Sequence, residues 1–276
     1  MTSFSKIRAA SFAAGLLAIG TPGMALAQVA VSDLPEIMVT ETSKLPEGPF
    51  STDGNNACQS NYSEPETAAG LYVQEHGWGV ISEATVGDYQ LVSFAGEFLI
   101  GTSGSCAIEK SNIGVFEGSD LKAILYTASE TDQLIGILDE RQNGSVRIWG
   151  GDFVSLPVGD ISISDQGLVV GALAAEETFC GAAVVPNVYN APITEARKTL
   201  KTAGWKPVPQ PREEFGQQGD LHDMGITEAE TCSGTGFGFC RYIYHSAGAA
   251  LDLTTVGELY EDNVPTVVDF AVTCAN

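Results

Sequence analysis

The sequence is poor in histidine and in basic residues, and this scarcity removes several classes of function. Its 276 residues include three histidines and 13 lysines or arginines, against 35 aspartates and glutamates. The net charge of −22 would repel nucleic acid and anionic membrane surfaces, so we expect neither as a partner. Only His76, His222 and His245 are available as histidine bases.

Motifs that mark common enzyme and metal sites are also missing. The chain has no Cys-x-x-Cys pair, no Gly-x-Ser-x-Gly elbow, no His-Glu-x-x-His and no Asp-x-Asp-x-Asp-Gly calcium loop. We therefore expect no metal site and no cofactor, and we assign no catalytic residue. Because triads assemble from distant positions, missing motifs do not by themselves exclude an enzyme.

No apolar run reaches the roughly 18 residues that a membrane-spanning helix needs. One shorter run, residues 9–19, follows Lys6 and Arg8 and precedes Ala25-Leu26-Ala27. This pattern is typical of a bacterial secretory signal over residues 1–27. Its removal deletes two basic and no acidic residues, so the net charge becomes about −24. We predict a periplasmic or secreted protein with no integral membrane segment after cleavage.

Six cysteines remain after that cleavage, and an even number in an exported chain indicates disulfides. Cys232 and Cys240 are the favoured pair, because they lie eight residues apart. A bridge between them would contribute roughly 2.5 kcal/mol on a loop-entropy estimate. Spacing does not decide the pairing of the other four, which are Cys58, Cys106, Cys180 and Cys274.

The favoured pair lies in the stretch TCSGTGFGFCRYIYH, which runs from Thr231 to His245. A phosphate-binding loop would need a lysine after the glycines, and a dinucleotide fingerprint would need a following helix. Here the segment after Cys240 alternates like a strand. We therefore predict a disulfide-stapled loop whose glycines let the chain reverse.

Residues 28–57 are predicted to be an extended or disordered lead-in. The short apolar runs that follow predict a β-rich domain over residues 58–183. Ser63-Glu64-Pro65-Glu66 matches a capping box, which predicts a short helix that packs through Leu71 and Tyr72. The later runs, with turn residues between them, are typical of an antiparallel sandwich or barrel. The candidate strands are Trp78–Ile81, Tyr89–Phe94, Phe98–Ile100, Ile113–Phe116, Leu121–Tyr126, Leu134–Leu138, Val146–Trp149 and Leu168–Leu173, with a two-residue turn at Asn143-Gly144.

Residues 184–276 are predicted to form a second, α+β, disulfide-stapled domain. A helix is expected from Pro192 to Gly204, because its apolar residues share one face and glycine is a natural stop. The helix would pack on a short antiparallel sheet. Its candidate strands are Val184–Val188, Phe239–His245, Ala249–Thr255 and Thr266–Cys274. The fold class is thus mainly β, with an α+β C-terminal part.

Part of this second domain resembles a known bacterial module. Val185-Pro186-Asn187-Val188, followed by Glu195-Ala196, Leu200, Ala203-Gly204-Trp205 and Pro207-Val208, is similar to the opening of PASTA domains of cell-wall proteins. The resemblance covers residues 184–208, and PASTA modules lack the loop between Cys232 and Cys240. It implies contact with peptidoglycan or muropeptides and supplies no catalytic residue. The chain also resembles secreted bacterial modules of unassigned role.

Two functions follow from these patterns. The favoured hypothesis is an extracytoplasmic, non-enzymatic binding or inhibitor-like protein, with Trp205, Tyr242 and Tyr244 as its contact surface and a protein or a cell-envelope glycan as its partner. The alternative is a small secreted hydrolase acting on cell-wall or extracellular polymers, with His222 or His245 as the base.

Overall fold

The computed structural model describes residues 29–49, 58–127, 133–165, 167–234, 236–246, 248–260 and 263–275. The predicted signal, residues 1–27, lies outside these ranges, as do residues 28 and 50–57 of the lead-in. Within them, no helix is both long and apolar enough to cross a membrane.

Nineteen strands and three α-helices make up the described regular structure. The strands are β1 Ala30–Ser32, β2 Ile37–Glu41, β3 Gly79–Val86, β4 Tyr89–Ala95, β5 Glu97–Ile100, β6 Cys106–Glu109, β7 Asn112–Glu117, β8 Asp120–Thr127, β9 Leu138–Glu140, β10 Val146–Trp149, β11 Pro157–Ser164, β12 Gly167–Gly171, β13 Glu176–Phe179, β14 Ala183–Pro186, β15 Lys206–Pro207, β16 Ala229–Cys232, β17 Cys240–Ser246, β18 Ala249–Val256 and β19 Thr266–Cys274. The helices are α1 Ala68–Glu75, α2 Ile193–Thr202 and α3 Gln217–Asp223.

The N-terminal part is a sandwich of two five-stranded sheets, with strand orders β2-β8-β7-β4-β3 and β1-β12-β11-β10-β9. One apolar cluster joins them, because Leu91 and Ile113 of the first sheet pack with Val146 and Ile161 of the second. Neither sheet closes into a barrel. The prediction of a mainly β chain with an α+β C-terminal part is confirmed, and the sandwich is the alternative that the chain adopts.

Helix α1 covers the outer face of the first sheet, where Val73 packs with Phe94 and Phe116. The helix begins later than predicted. Thr67 is its N-cap, and the Thr67 hydroxyl accepts a hydrogen bond of 3.0 Å from the amide of Gly70. The side chain of Leu71, predicted to pack, is 49% exposed, because Ala69 and Val73 form the buried face instead.

The predicted lead-in contributes two strands. Strand β1 pairs in parallel with β12, and β2 pairs antiparallel with β8, so each sheet gains an edge from residues 29–49. Part of the predicted lead-in is therefore paired within the sandwich, and residues 28 and 50–57 of it lie outside the described residues. Sequence periodicity does not reveal this pairing, because the two strands have only three and five residues.

Several predicted boundaries in the sandwich also differ. Of Leu134–Leu138 only Leu138 lies in a strand, and β6, β11 and β13 were not predicted. The Asn143-Gly144 turn lies in a loop of three residues, 142–144, closed by the pair Arg141 and Ser145, rather than in a loop of two. Arg141 donates its amide to the carbonyl of Ser145 at 2.8 Å, and Gly144 has a φ of 81°. This is a bulged hairpin loop, in which glycine takes the left-handed position.

The C-terminal part is an antiparallel sheet of order β15-β17-β18-β19, with β16 also paired to β17. Helix α2 packs on it through Ile193, Ala196 and Leu200, which are fully buried with the sheet residues of one apolar cluster. Strand β19 has the bounds that the sequence predicts. The helix ends before Gly204, which has a φ of 92°.

Three disulfides form within these parts, joining Cys58 to Cys106, Cys180 to Cys274, and Cys232 to Cys240. The last is the pair that spacing favours. Cys180 lies between β13 and β14, whose hairpin crosses the predicted boundary at residue 184 and packs with the C-terminal cluster. Such crosslinks indicate an oxidising, non-cytoplasmic compartment.

Candidate ligand-binding groove

An apolar groove of about 500 Å³ lies where the sandwich meets the C-terminal sheet. Its sandwich wall includes Ile137, Trp149 and Phe153, and its other wall includes Phe239 and Val268. The side chain of Ile137 is 51% exposed, and that of Phe239 is 40% exposed. Clefts with aromatic walls and a few polar groups are the usual form of ligand sites in proteins.

A β-bulge sets the direction of Trp149. The register between β10 and β11 shifts between Ile148 and Trp149, so Trp149 stands opposite Pro157 at the end of its strand. Bulges bend a strand and redirect a side chain. The Trp149 ring meets the edge of Tyr189 at 5.8 Å between centroids, which fixes its position at the groove wall.

The neighbouring loop between β10 and β11 carries Phe153. The Ser155 hydroxyl donates a 2.6 Å hydrogen bond to the carbonyl of Gly150, which closes the loop. The Phe153 ring lies against Gly101, where an added Cβ would come within 2.5 Å of a ring carbon. Only glycine permits this approach, so the loop is held against the 3₁₀ turn that follows β5.

The stapled loop supplies the facing aromatic, Phe239. Its carbonyl accepts a 2.7 Å hydrogen bond from the amide of Ser233, next to the disulfide of Cys232 and Cys240. Phe237 meets the Phe239 ring edge-on at 6.0 Å. The disulfide thus closes the short loop that brings Phe239 to the groove.

Two carboxylates, those of Asp139 and Asp269, also line the groove. Asp139 accepts a 2.9 Å hydrogen bond from Arg141, and Asp269 accepts one of 2.8 Å from the amide of Phe270. Asp269 is exposed, but partial desolvation by the neighbouring protein raises its pKa, and this outweighs the lowering by the hydrogen bond from Phe270 and by the charge of Arg141. Two such carboxylates would favour a positively charged ligand group.

A buried ion-pair network holds the sandwich and the C-terminal part together behind this groove. Arg147 of β10, with a side chain 1% exposed, donates two hydrogen bonds to Asp160 at 2.9 and 3.0 Å and one to Glu177 of β13 at 2.8 Å. Its guanidinium lies 5.8 Å from the centroid of the Tyr189 ring. Arg141 bridges Glu177 to Asp139, which connects the network to the groove.

The three predicted contact residues are in the core. Trp205, Tyr242 and Tyr244 are each at most 1% exposed. The Trp205 indole donates to the carbonyl of Val184 at 2.7 Å, and the Tyr244 hydroxyl donates to Glu228 at 2.9 Å. A buried ring cannot touch a partner without opening the sheet, so their proposed role as a contact surface is corrected to core packing.

The histidines do not meet at a cleft. The His76 ring is hydrogen-bonded to the carbonyl of Tyr72, while His222 lies 3.2 Å from the carbonyl of Ala229. His245 is exposed on β17, and none of the three histidines lines the groove. Within the described ranges, no three His, Cys, Asp or Glu side chains converge as metal ligands would.

Sequence patterns did not single out the groove residues. Trp149 was predicted only as a strand end, and Phe153 lies in a loop between two strands. One signal was present, because Phe237 and Phe239 are large aromatics inside a glycine-rich loop, where turn formation does not require them.

The chain has no match among known protein families, curated proteins or solved structures. Function must therefore be inferred from the groove itself. The resemblance of residues 184–208 to PASTA domains stays a prediction.

Proposed function

We propose that this chain is an extracytoplasmic, non-enzymatic binding protein that holds its ligand in the groove, and that it is exported to the periplasm or released. The observation that carries the proposal is the groove's lining, which combines partly exposed aromatic and aliphatic side chains with two carboxylates. Such a lining offers apolar contact and charge, which are the requirements of recognition.

The location of the groove supports a binding role. It lies between parts of the chain that the Arg147 network holds in a fixed relation. A preformed site loses little conformational entropy when its ligand binds. An inhibitor-like role would use the same surface to hold a segment of a target enzyme.

The alternative hydrolase has less support from the described residues. Its nominated bases, His222 and His245, lie away from the groove, whose hydroxyl groups are those of Ser155 and Thr254. A nucleophile of this kind needs a base within hydrogen-bonding reach. The groove lining does not include a histidine.

The proposal is tested by titrating the ¹⁵N-labelled protein with soluble muropeptides, neutral oligosaccharides, and basic and acidic peptides. The Trp149 indole signal, assigned with W149F, should shift with at least one probe. Two matched variants provide the control. I137A removes a side chain that is 51% exposed in the groove, while I163A removes one that is 53% exposed elsewhere. Binding should weaken in I137A alone, and equal binding by both variants would contradict the proposal.

A further inference from the structure

Exposed aromatic side chains continue from the groove across one end of the C-terminal sheet. Phe237, which packs edge-on against Phe239, is 38% exposed, while Phe215 is 80% and Tyr260 is 66% exposed. We refer to Phe215, Phe237 and Tyr260 as the aromatic patch. Large exposed apolar surfaces on soluble proteins commonly mark interaction sites.

Hydrogen bonds bring the segments of the patch together. The side chain of Gln217 donates to the carbonyl of Gly257 at 3.0 Å and accepts from the amide of Leu259 at 2.9 Å. The amide of Gly257 in turn donates to the carbonyl of Phe237 at 2.8 Å. The three aromatics therefore lie on chain segments that meet at Gly257, next to the groove.

The surroundings of this surface are acidic. Asp139 and Asp269 line the groove, Glu213 and Glu214 precede Phe215, and Glu258 stands between Gly257 and Tyr260. No lysine or arginine is among the described groove-lining residues. The net charge of −22 adds a long-range field of the same sign. A complementary partner carries positive charge together with apolar groups.

From these observations we propose that the groove and the aromatic patch together bind an extended basic segment of a partner protein. Its lysines or arginines would face Asp139 and Asp269, and its apolar side chains would pack on Phe239 and Phe237. This inference rests on the proposed binding function and adds the class of partner.

The polypeptide is favoured over two other occupants. A neutral glycan would add no charged partner to Asp269 and would leave Asp139 with Arg141, which it shares with Glu177. An anionic lipid surface would be repelled by the net charge. A small cation could satisfy Asp139 and Asp269 but would leave the aromatic patch uncovered. A chain with alternating basic and apolar side chains meets both requirements.

The test measures the fluorescence anisotropy of a dye-labelled peptide of about twelve residues that alternates arginine with leucine or tryptophan. We expect saturable binding that weakens about tenfold at high salt. D139N/D269N should weaken binding about tenfold, and F237A and Y260A severalfold each. A glutamate-for-arginine version of the peptide should not bind.

The matched control is D120N/E195Q, which removes two negative charges on side chains that are 79% and 60% exposed. If this control weakens peptide binding as much as D139N/D269N does, the attraction is a nonspecific effect of the net charge and the inference is overturned. Circular dichroism and thiol titration check that each variant is folded and oxidised. If D139N/D269N does not fold, the peptide is added to the ¹⁵N-labelled wild type instead. NMR shifts at Trp149 and Tyr260 would support the inference, and their absence would overturn it.

Two further probes separate this inference from the proposed function. Shifts at Trp149 with muropeptides or neutral oligosaccharides, but not with the basic peptide, would overturn the inference and leave the binding function standing. Binding to lipid vesicles that is lost in F237A, without peptide binding, would assign the patch to a membrane instead. If no probe perturbs the groove, both proposals fail.

Discussion

Replacement of the buried Arg147 by methionine tests how the two parts of the molecule are joined. Methionine has a similar length but cannot donate to Asp160 or Glu177, so R147M leaves the partly buried Asp160 without its cation and Glu177 with Arg141 alone. Removing one partner of a buried ion pair typically costs about 3–5 kcal/mol, because the remaining charge stays desolvated. We expect R147M to lose that much of its free energy of unfolding, against about 5–15 kcal/mol for an ordinary protein.

Urea unfolding at neutral pH, followed by circular dichroism, measures this loss. The matched control is R241M, since Arg241 also pairs with two carboxylates, Glu230 and Asp252, but its side chain is 46% exposed. Exposed pairs contribute about 1 kcal/mol or less, so R241M should change little. The second substitution in R147M/D160N removes the stranded charge and should restore part of the stability.

The same network predicts that the stability of the folded protein depends on pH. Burial acts to raise the pKa of Glu177, but hydrogen bonds from Arg147 and Arg141 outweigh it and lower that pKa below its ordinary value of 4.5. The ionised Glu177 therefore stabilises the folded state above pH 4.5, and this contribution is lost as the pH falls through the lowered pKa. The difference between wild type and R147M should accordingly shrink below pH 4.5. Equal losses in R147M and R241M at neutral pH would refute this account of the network.

Three further predictions concern stability. The disulfide of Cys180 and Cys274 closes a loop of 94 residues, whereas that of Cys232 and Cys240 closes one of eight. In urea unfolding, C180S/C274S should therefore lose about 4.7 kcal/mol of stability and C232S/C240S about 2.5 kcal/mol. The reverse order would contradict the loop-entropy argument. In thermal unfolding, L200A should lose about 2–5 kcal/mol of stability, because Leu200 is fully buried, while L71A should stay within about 0.5 kcal/mol of the wild type. A large loss in L71A would show that Leu71 packs as the sequence predicts. R197A should lose about 3–5 kcal/mol of stability, because it leaves the fully buried carboxylate of Glu228 without its cation. R197K should recover part of that loss in the same assay. If R197A is as stable as the wild type, Glu228 does not need its cation.

Much of the fold was predictable because local patterns and tertiary structure agree. Thr266–Cys274 alternates in polarity and is a strand with those bounds, and the helix before Gly204 has the face that its spacing predicts. The favoured Cys232 and Cys240 pair follows from eight residues of loop, which leave little freedom for other partners. Strand β11, which was missed, begins with proline and contains glycine and aspartate, so sheet neighbours rather than propensity hold it.

The sequence alone determined which residues share a face of each element, but not which face another part of the chain covers. Tyr242 and Tyr244 stand two apart on β17, so they were known to point the same way, yet only the packing of α2 made that side the core. The groove was likewise decided by tertiary structure, since a bulge turned Trp149 and a disulfide placed Phe239. Periodicity is a property of neighbours along the chain, whereas a binding surface joins residues about a hundred positions apart, whose meeting depends on the relative placement of whole sheets.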